Sequence, residues 1–192
     1  MISHEHGVAF MHIRKAAGTT VKRAFDCPRP WDAYLQDGLL DRDWPEFAQS
    51  RARYTLFTVV RNPWDRFVSA WRYLERTRHH PIEHVLANLP QQDGDRDERH
   101  AYRHMTRLQC DLFVDEHGRW VTDRVLRFEN LQADFDELCR DLGLEPIPLE
   151  HHMRNPSRPQ GDHYRRHFRS RESRELFMAG FGRDVEQLGY EF

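Results

Sequence analysis

Two short apolar runs, each breaking off into a polar loop that opens a helix, constrain this chain more than any other feature. Gly7-Val8-Ala9-Phe10-Met11-His12-Ile13 has the length of a buried strand. It stops at Arg14-Lys15-Ala16-Ala17-Gly18-Thr19-Thr20, and Val21-Lys22-Arg23-Ala24-Phe25 then reads as a helix with Thr19 or Thr20 as its N-cap. The second run, Tyr54-Thr55-Leu56-Phe57-Thr58-Val59-Val60, is rich in β-branched and aromatic residues. It ends at Arg61-Asn62-Pro63, where Asn62 is predicted to cap a helix whose first residue is Pro63 and whose third is Asp65. Trp64, Phe67, Val68, Trp71 and Leu74 recur at helical spacing and form a core-facing stripe. Arg66, Ser69 and Arg72 fall off that stripe, as does Arg61 just before the helix.

Further along, a helix is predicted from about Glu98 to Phe113. A third strand is expected over Val125-Leu126-Arg127-Phe128, and a helix then carries Leu131, Phe135, Leu138 and Leu142 up to Gly143. The segment from His151 to Arg171 reads as irregular, a last helix as about Arg171 to Phe181, and Asp184 to Phe192 closes the chain. Strands alternating with helices predict an α/β fold with a parallel sheet and helices on both faces. In such sheets ligands sit at the carboxyl ends of the strands, where Arg14 to Thr20 and Arg61 to Ser69 both fall. Two anion-friendly junctions on one sheet edge point to a ligand with two separated phosphates.

With 192 residues, one domain over 1–192 is the expectation. The 29 basic and 31 acidic side chains nearly cancel, which argues against a nucleic-acid or membrane-surface binder. No apolar run approaches the roughly 18–20 residues of a membrane span, and the N-terminus lacks the layout of a signal peptide. Cys27, Cys110 and Cys139 are scattered, with no CxxC pair, as in a reducing compartment. These features together predict a soluble cytoplasmic protein. Among the 13 histidines no HExxH occurs, so no metal site is expected. His12, at a strand end, reads as a hydrogen-bonded structural residue.

The first junction is not a nucleotide-triphosphate loop of the Gly-x4-Gly-Lys-[Ser/Thr] kind: Thr19 follows Gly18, and the lysine comes three residues earlier. The second strand ends in Arg61, where a Mg²⁺-dependent nucleotidase often has an aspartate. Only two of the basic residues are lysines, Lys15 and Lys22, so the choice of a lysine within the first loop stands out.

His12-Ile13-Arg14-Lys15-Ala16-Ala17-Gly18-Thr19-Thr20 resembles the 5′-phosphosulfate loop of sulfotransferases of the carbohydrate type, His-Ile-x-Lys-x-Ala-Gly-Thr-[Ser/Thr]. Val60-Arg61-Asn62-Pro63-Trp64-Asp65-Arg66-Phe67-Val68-Ser69 is similar to that family's 3′-phosphate segment, Arg-x-Pro-x-x-Arg-x-x-Ser. Arg127-Phe128-Glu129-Asn130-Leu131 and the closing Asp184 to Phe192 look like its later landmarks. The resemblance implies a three-layer P-loop-like fold and transfer of a sulfuryl group from 3′-phosphoadenosine 5′-phosphosulfate (PAPS). The acceptor would be a hydroxyl or amine of a sugar-like or small molecule, and transfer would need no metal. It also implies roles: Lys15 on the bridging oxygen that gains charge as the S–O bond breaks, with Arg14, Ala17, Gly18, Thr19 and Thr20 around the 5′ side. Arg61 and Ser69 would hold the 3′-phosphate, with Arg158 of Asn155-Pro156-Ser157-Arg158 as a second clamp and Tyr164 packing on the nucleotide.

A general base should take the acceptor's proton, and here the chain departs from the pattern. Many relatives carry a histidine after the first helix, yet residues 26 to 55 contain none. Asp32 sits near the expected place. His104, in His104-Met105-Thr106-Arg107-Leu108-Gln109, matches another histidine-to-glutamine segment of the family, and the choice between the two stays open. Two other readings compete: a P-loop-type kinase or nucleotide-binding protein, and a non-catalytic module that binds adenosine 3′,5′-bisphosphate (PAP). The acceptor and the oligomeric state are not legible in the chain.

Overall fold

A computed structural model of the chain describes residues 1–25, 53–90, 102, 104–113, 117, 119–150 and 161–192. Asp32, Cys27 and Arg158 lie outside them. The chain divides into two compact units, Met1–Arg61 with Asp111–Met153, and Asn62–Cys110 with Arg154–Phe192.

The first unit is built on a four-stranded sheet in the order β1-β2-β3-β4: Ile2–Ser3, Val8–Met11, Thr55–Val60 and Arg124–Arg127. β2, β3 and β4 run parallel, with Met11 opposite Thr58 and Val60 opposite Arg127. The sheet is not wholly parallel as predicted: β1 pairs antiparallel with β2. Residues 1–6 are too short and polar to advertise a strand, and β1 exists only because β2 offers an edge to pair with. Gly7, with a φ of +61°, makes the turn between them.

β2 and β3 are buried along nearly their whole length, which is why both read as continuous apolar runs. Phe10 stacks on Phe57 with centroids 5.0 Å apart, while Phe25 sets its edge against Phe57 and Phe135. Helix α1 (Gly18–Ala24) follows β2. Its N-cap is Ala17, and no side chain caps it. Thr19 and Thr20 therefore lie inside the first turn, two and three residues past the cap position expected for one or the other of them. β4 begins and ends one residue before the predicted strand, and Phe128–Asn130 form a 3₁₀ turn. A helix over Leu131–Asp141 follows that turn directly.

The second unit is helical. α2 (Pro63–Tyr73) begins as the sequence predicts, with the Asn62 side chain accepting from the N–H groups of Trp64 and Asp65. The stripe is buried at Trp64, Phe67, Val68 and Trp71. Arg66 and Ser69, placed off the stripe by spacing, are buried as well, at 4% and 5% exposure. Two short turns separate α2 from α3 (Ile82–Ala87). α4 (Leu131–Asp141) belongs to the first unit and packs on β4, and α5 (Arg171–Gln187) completes the second.

Two helix lengths differ from expectation. Among the described residues the helix predicted from 98 to 113 is helical at Tyr102 and at 104–106, and Cys110–Leu112 is a separate 3₁₀ turn. α5 runs six residues past Phe181. The break at 107–109 has its cause on α5. The Asp184 carboxylate, wholly buried, accepts from the N–H groups of Gln109 at 2.8 Å and Cys110 at 2.9 Å. An aspartate on α5 thus caps the 3₁₀ turn in place of a continuing helix. Burial and then the Asp184 carboxylate push the Cys110 thiol up to about 11, and burial likewise raises Cys139. Both are inert thiols.

No helix among the described residues is long and apolar enough to cross a membrane.

Candidate active site

Lys15 and Arg61 meet at the carboxyl ends of two adjacent parallel strands. Thr58, fully buried in β3, donates its hydroxyl to the carbonyl of Met11 at 2.9 Å and ties the two strand ends together. From there the chain after β2 turns sharply: the N–H of Ala16 reaches the carbonyl of Ile13 at 3.3 Å. Lys15 and Ala17 both have positive φ, 67° and 57°. Non-glycine residues rarely adopt this region, at a cost of about 1–3 kcal/mol each, and such strain clusters at ligand sites. Backbone folded this way turns N–H groups into a concavity that suits an anion. The N–H groups of Gly18, Thr19 and Thr20 add to it, since no helical carbonyl precedes them.

Gly18 is required for a steric reason. A Cβ there would sit 1.9 Å from both Cδ2 and Nε2 of His12. The imidazole of His12, tilted over Phe10 at 5.9 Å, occupies the space a side chain would take. His12 is therefore a packing residue. Gly18→Ala should force the His12 ring and the loop apart. The expected result is a lowered melting temperature together with loss of anion binding at the loop, checked by thermal denaturation with and without PAP. A variant that melts and binds like the parent would show that the ring moves freely.

Arg61 crosses to the loop, its Nη1 donating to the backbone carbonyl of Lys15 at 3.0 Å. Its guanidinium also lies over the Phe128 ring, 4.1 Å from the centroid, a cation–π contact that fixes the plane of the fork. The Lys15 ammonium is half-buried. Burial first, and the positive charge of Arg61 second, bring its pKa down to about 8. Two cations so placed repel each other, and a bound anion offsets that repulsion.

An open cleft of about 450 Å³ lies beside these groups, walled by Thr20, Phe128, Glu129, Leu131, Asp136 and Leu149 among others. Sequence reasoning did not find it. Its walls come from α1, from the turn after β4 with the helix that follows it, and from Leu149, which spacing does not bring together, although Arg127-Phe128-Glu129-Asn130 was already marked by resemblance. The carboxylates of Glu129 and Asp136 disfavour a phosphate in the cleft and leave it suited to an uncharged ring or hydroxyls.

The other residues picked out from the sequence divide between the units. Arg14, Ala17, Gly18, Thr19 and Thr20 belong to the first. Ser69, buried in α2, and His104, in the helical stretch 104–106, belong to the second. Tyr164, also in the second unit, is buried with its hydroxyl at 3.5 Å from Nδ2 of Asn62. Among the described residues no group of three or more His, Cys, Asp or Glu is placed to hold a metal ion.

A parallel-strand edge here joins a strained loop, a depressed lysine and a braced arginine in a mixed α/β chain. A profile of the sulfotransferase family matches residues 1–191, so the chain belongs to that family. No curated protein and no solved structure matches it.

Proposed function

We propose that this protein is a sulfotransferase that takes its sulfuryl group from PAPS, within one domain of three-layer, P-loop-like design spanning 1–192. The single observation that carries the donor assignment is the placement of Lys15 and Arg61 against one strained loop at adjacent strand ends. Such a corner suits a ligand with anionic groups at both ends of a nucleoside, and the cleft beside Thr20 and Phe128 suits the uncharged part between them. The family membership supports sulfuryl transfer in general.

In this reading the loop from Arg14 to Thr20 holds the 5′ side. Lys15 points its ammonium at the bridging oxygen, whose charge grows as the S–O bond breaks, and a compact charge suits one moving oxygen. Arg61 holds the 3′-phosphate by charge-assisted hydrogen bonds, with Ser69 and Arg158 adding to the clamp. His104 or Asp32 takes the acceptor's proton. The acceptor is a sugar-like or small-molecule hydroxyl or amine, the transfer needs no metal, and the protein works in the cytoplasm without nucleic-acid or membrane partners.

Thermal denaturation tests the donor assignment. PAP should raise the melting temperature without divalent metal, because a ligand that binds only the folded state stabilises it. The sign of the pH dependence follows from Lys15. Its folded pKa of about 8 means that the ammonium is intact at pH 7 and must be recharged by the ligand at pH 9.5. The gain from PAP should therefore shrink as pH rises through 8. A larger gain with Mg²⁺ and ATP would favour the kinase reading instead.

A further inference from the structure

We propose that Arg66 and Tyr73 are positioning residues that hold His104 for proton transfer, an inference that rests on the sulfotransferase reading above. Arg66 stands in the Arg-x-Pro-x-x-Arg-x-x-Ser segment, where a phosphate contact is the natural assumption. Its guanidinium is engaged with backbone carbonyls. Exposed at only 4%, it donates through Nη1 to the carbonyl of His104 at 3.3 Å and through Nη2 to the carbonyl of Arg107.

Those carbonyls have a special status. Residues 104–106 are the last helical residues before the chain bends at Arg107. Carbonyls in the final turn of a helix have no later N–H to accept from, and they carry the negative end of its dipole. A planar fork with its donors fixed in place can bridge two such carbonyls, whereas an ammonium offers no fixed geometry to do so. Arg66 therefore acts through the backbone it holds.

The His104 ring is held from the same helix. Tyr73 lies seven residues after Arg66, two turns along the same face of α2, and its ring centroid is 5.1 Å from that of His104. Ser69 lies between them in the sequence on that face. Tyr73 is nevertheless 46% exposed, so the tyrosine side of the ring pair reaches the surface. In the transfer, the acceptor oxygen forms its bond to sulfur while His104 takes the hydroxyl proton. The S–O bond to the donor breaks, and its electron pair leaves on the phosphate oxygen. A histidine held at its main-chain carbonyl and at its ring keeps the alignment this step needs, and small misplacements of catalytic groups can cost about 10²-fold.

Two double-mutant cycles test the proposal, Arg66→Lys with His104→Gln and Tyr73→Leu with His104→Gln. The readout is PAP released from PAPS in the presence of pooled sugar and polyol acceptors. The melting-temperature gain from PAP is measured on every variant to monitor folding and the donor site. Each single substitution at 66 or 73 should lower turnover at least about 10-fold with the PAP gain retained. The same substitution should cost less than about twofold once His104 is glutamine. Equal losses in both backgrounds would overturn the proposal, because a general structural role does not depend on the base. Should Arg66→Lys fail to fold, the exposed Tyr73 cycle decides the matter alone. A parent chain that binds PAP yet turns over no acceptor contradicts the proposal and His104's role with it. A parent chain that does not bind PAP contradicts the donor reading instead.

Discussion

Lys15→Ala should slow sulfuryl transfer by about 10²–10³-fold, the usual effect of removing one preorganised donor from a developing oxyanion, with a much smaller change in PAP affinity. The reason is differential. On the proposed reading, Lys15 is in the ground state one cation among several near the anion. In the transition state it meets charge that was not there before, and only such contacts raise turnover. The depressed pKa belongs to the same argument, since the site holds its lysine poised and partly desolvated beside Arg61. The measurement is turnover at saturating donor, set beside PAP binding. A loss of affinity at unchanged turnover would place Lys15 on ground-state phosphate. Because position 15 has a positive φ, Lys15→Gly serves as the control: it removes the ammonium without the backbone strain, and it should be as slow as the alanine variant.

Arg61→Ala should weaken PAP binding by about 1.5–3 kcal/mol, the scale of hydrogen bonds to charged groups, or roughly 10–150-fold in affinity. Adenosine 5′-phosphosulfate, which lacks the 3′-phosphate, is the discriminating ligand. Its binding should change little if Arg61 reads the 3′ end. The structure also supplies the rival explanation, because Arg61 braces the Lys15 carbonyl and packs on Phe128. Equal losses for both ligands would mean that the arginine works by shaping the loop and not by touching phosphate.

Much of the architecture was legible because the apolar periods are strong. β2 and β3 are buried on both faces and so read as unbroken apolar runs. Asn62 and Pro63 start α2 through contacts that span three residues, which local sequence can specify. The errors fall where backbone strain or distant groups intervene. Thr19 and Thr20 look like caps, yet Ala17 takes that position because the loop turns through positive φ at Lys15 and Ala17. The helix predicted to reach Phe113 stops early because Arg66 and Asp184, 38 and 75 residues away from their partners, satisfy its carbonyls and the next turn's N–H groups.

The order of residues along the chain was enough to determine two strand-to-helix junctions, a lysine in the first and an arginine at the second, since strand burial and helix initiation depend on near neighbours. Only the folded chain decided that the Arg61 fork would reach the Lys15 carbonyl, that the His12 ring would demand glycine at 18, and that Arg66 would face inward. Each of these depends on atoms brought together by strand pairing or helix packing, and no local pattern encodes such a meeting.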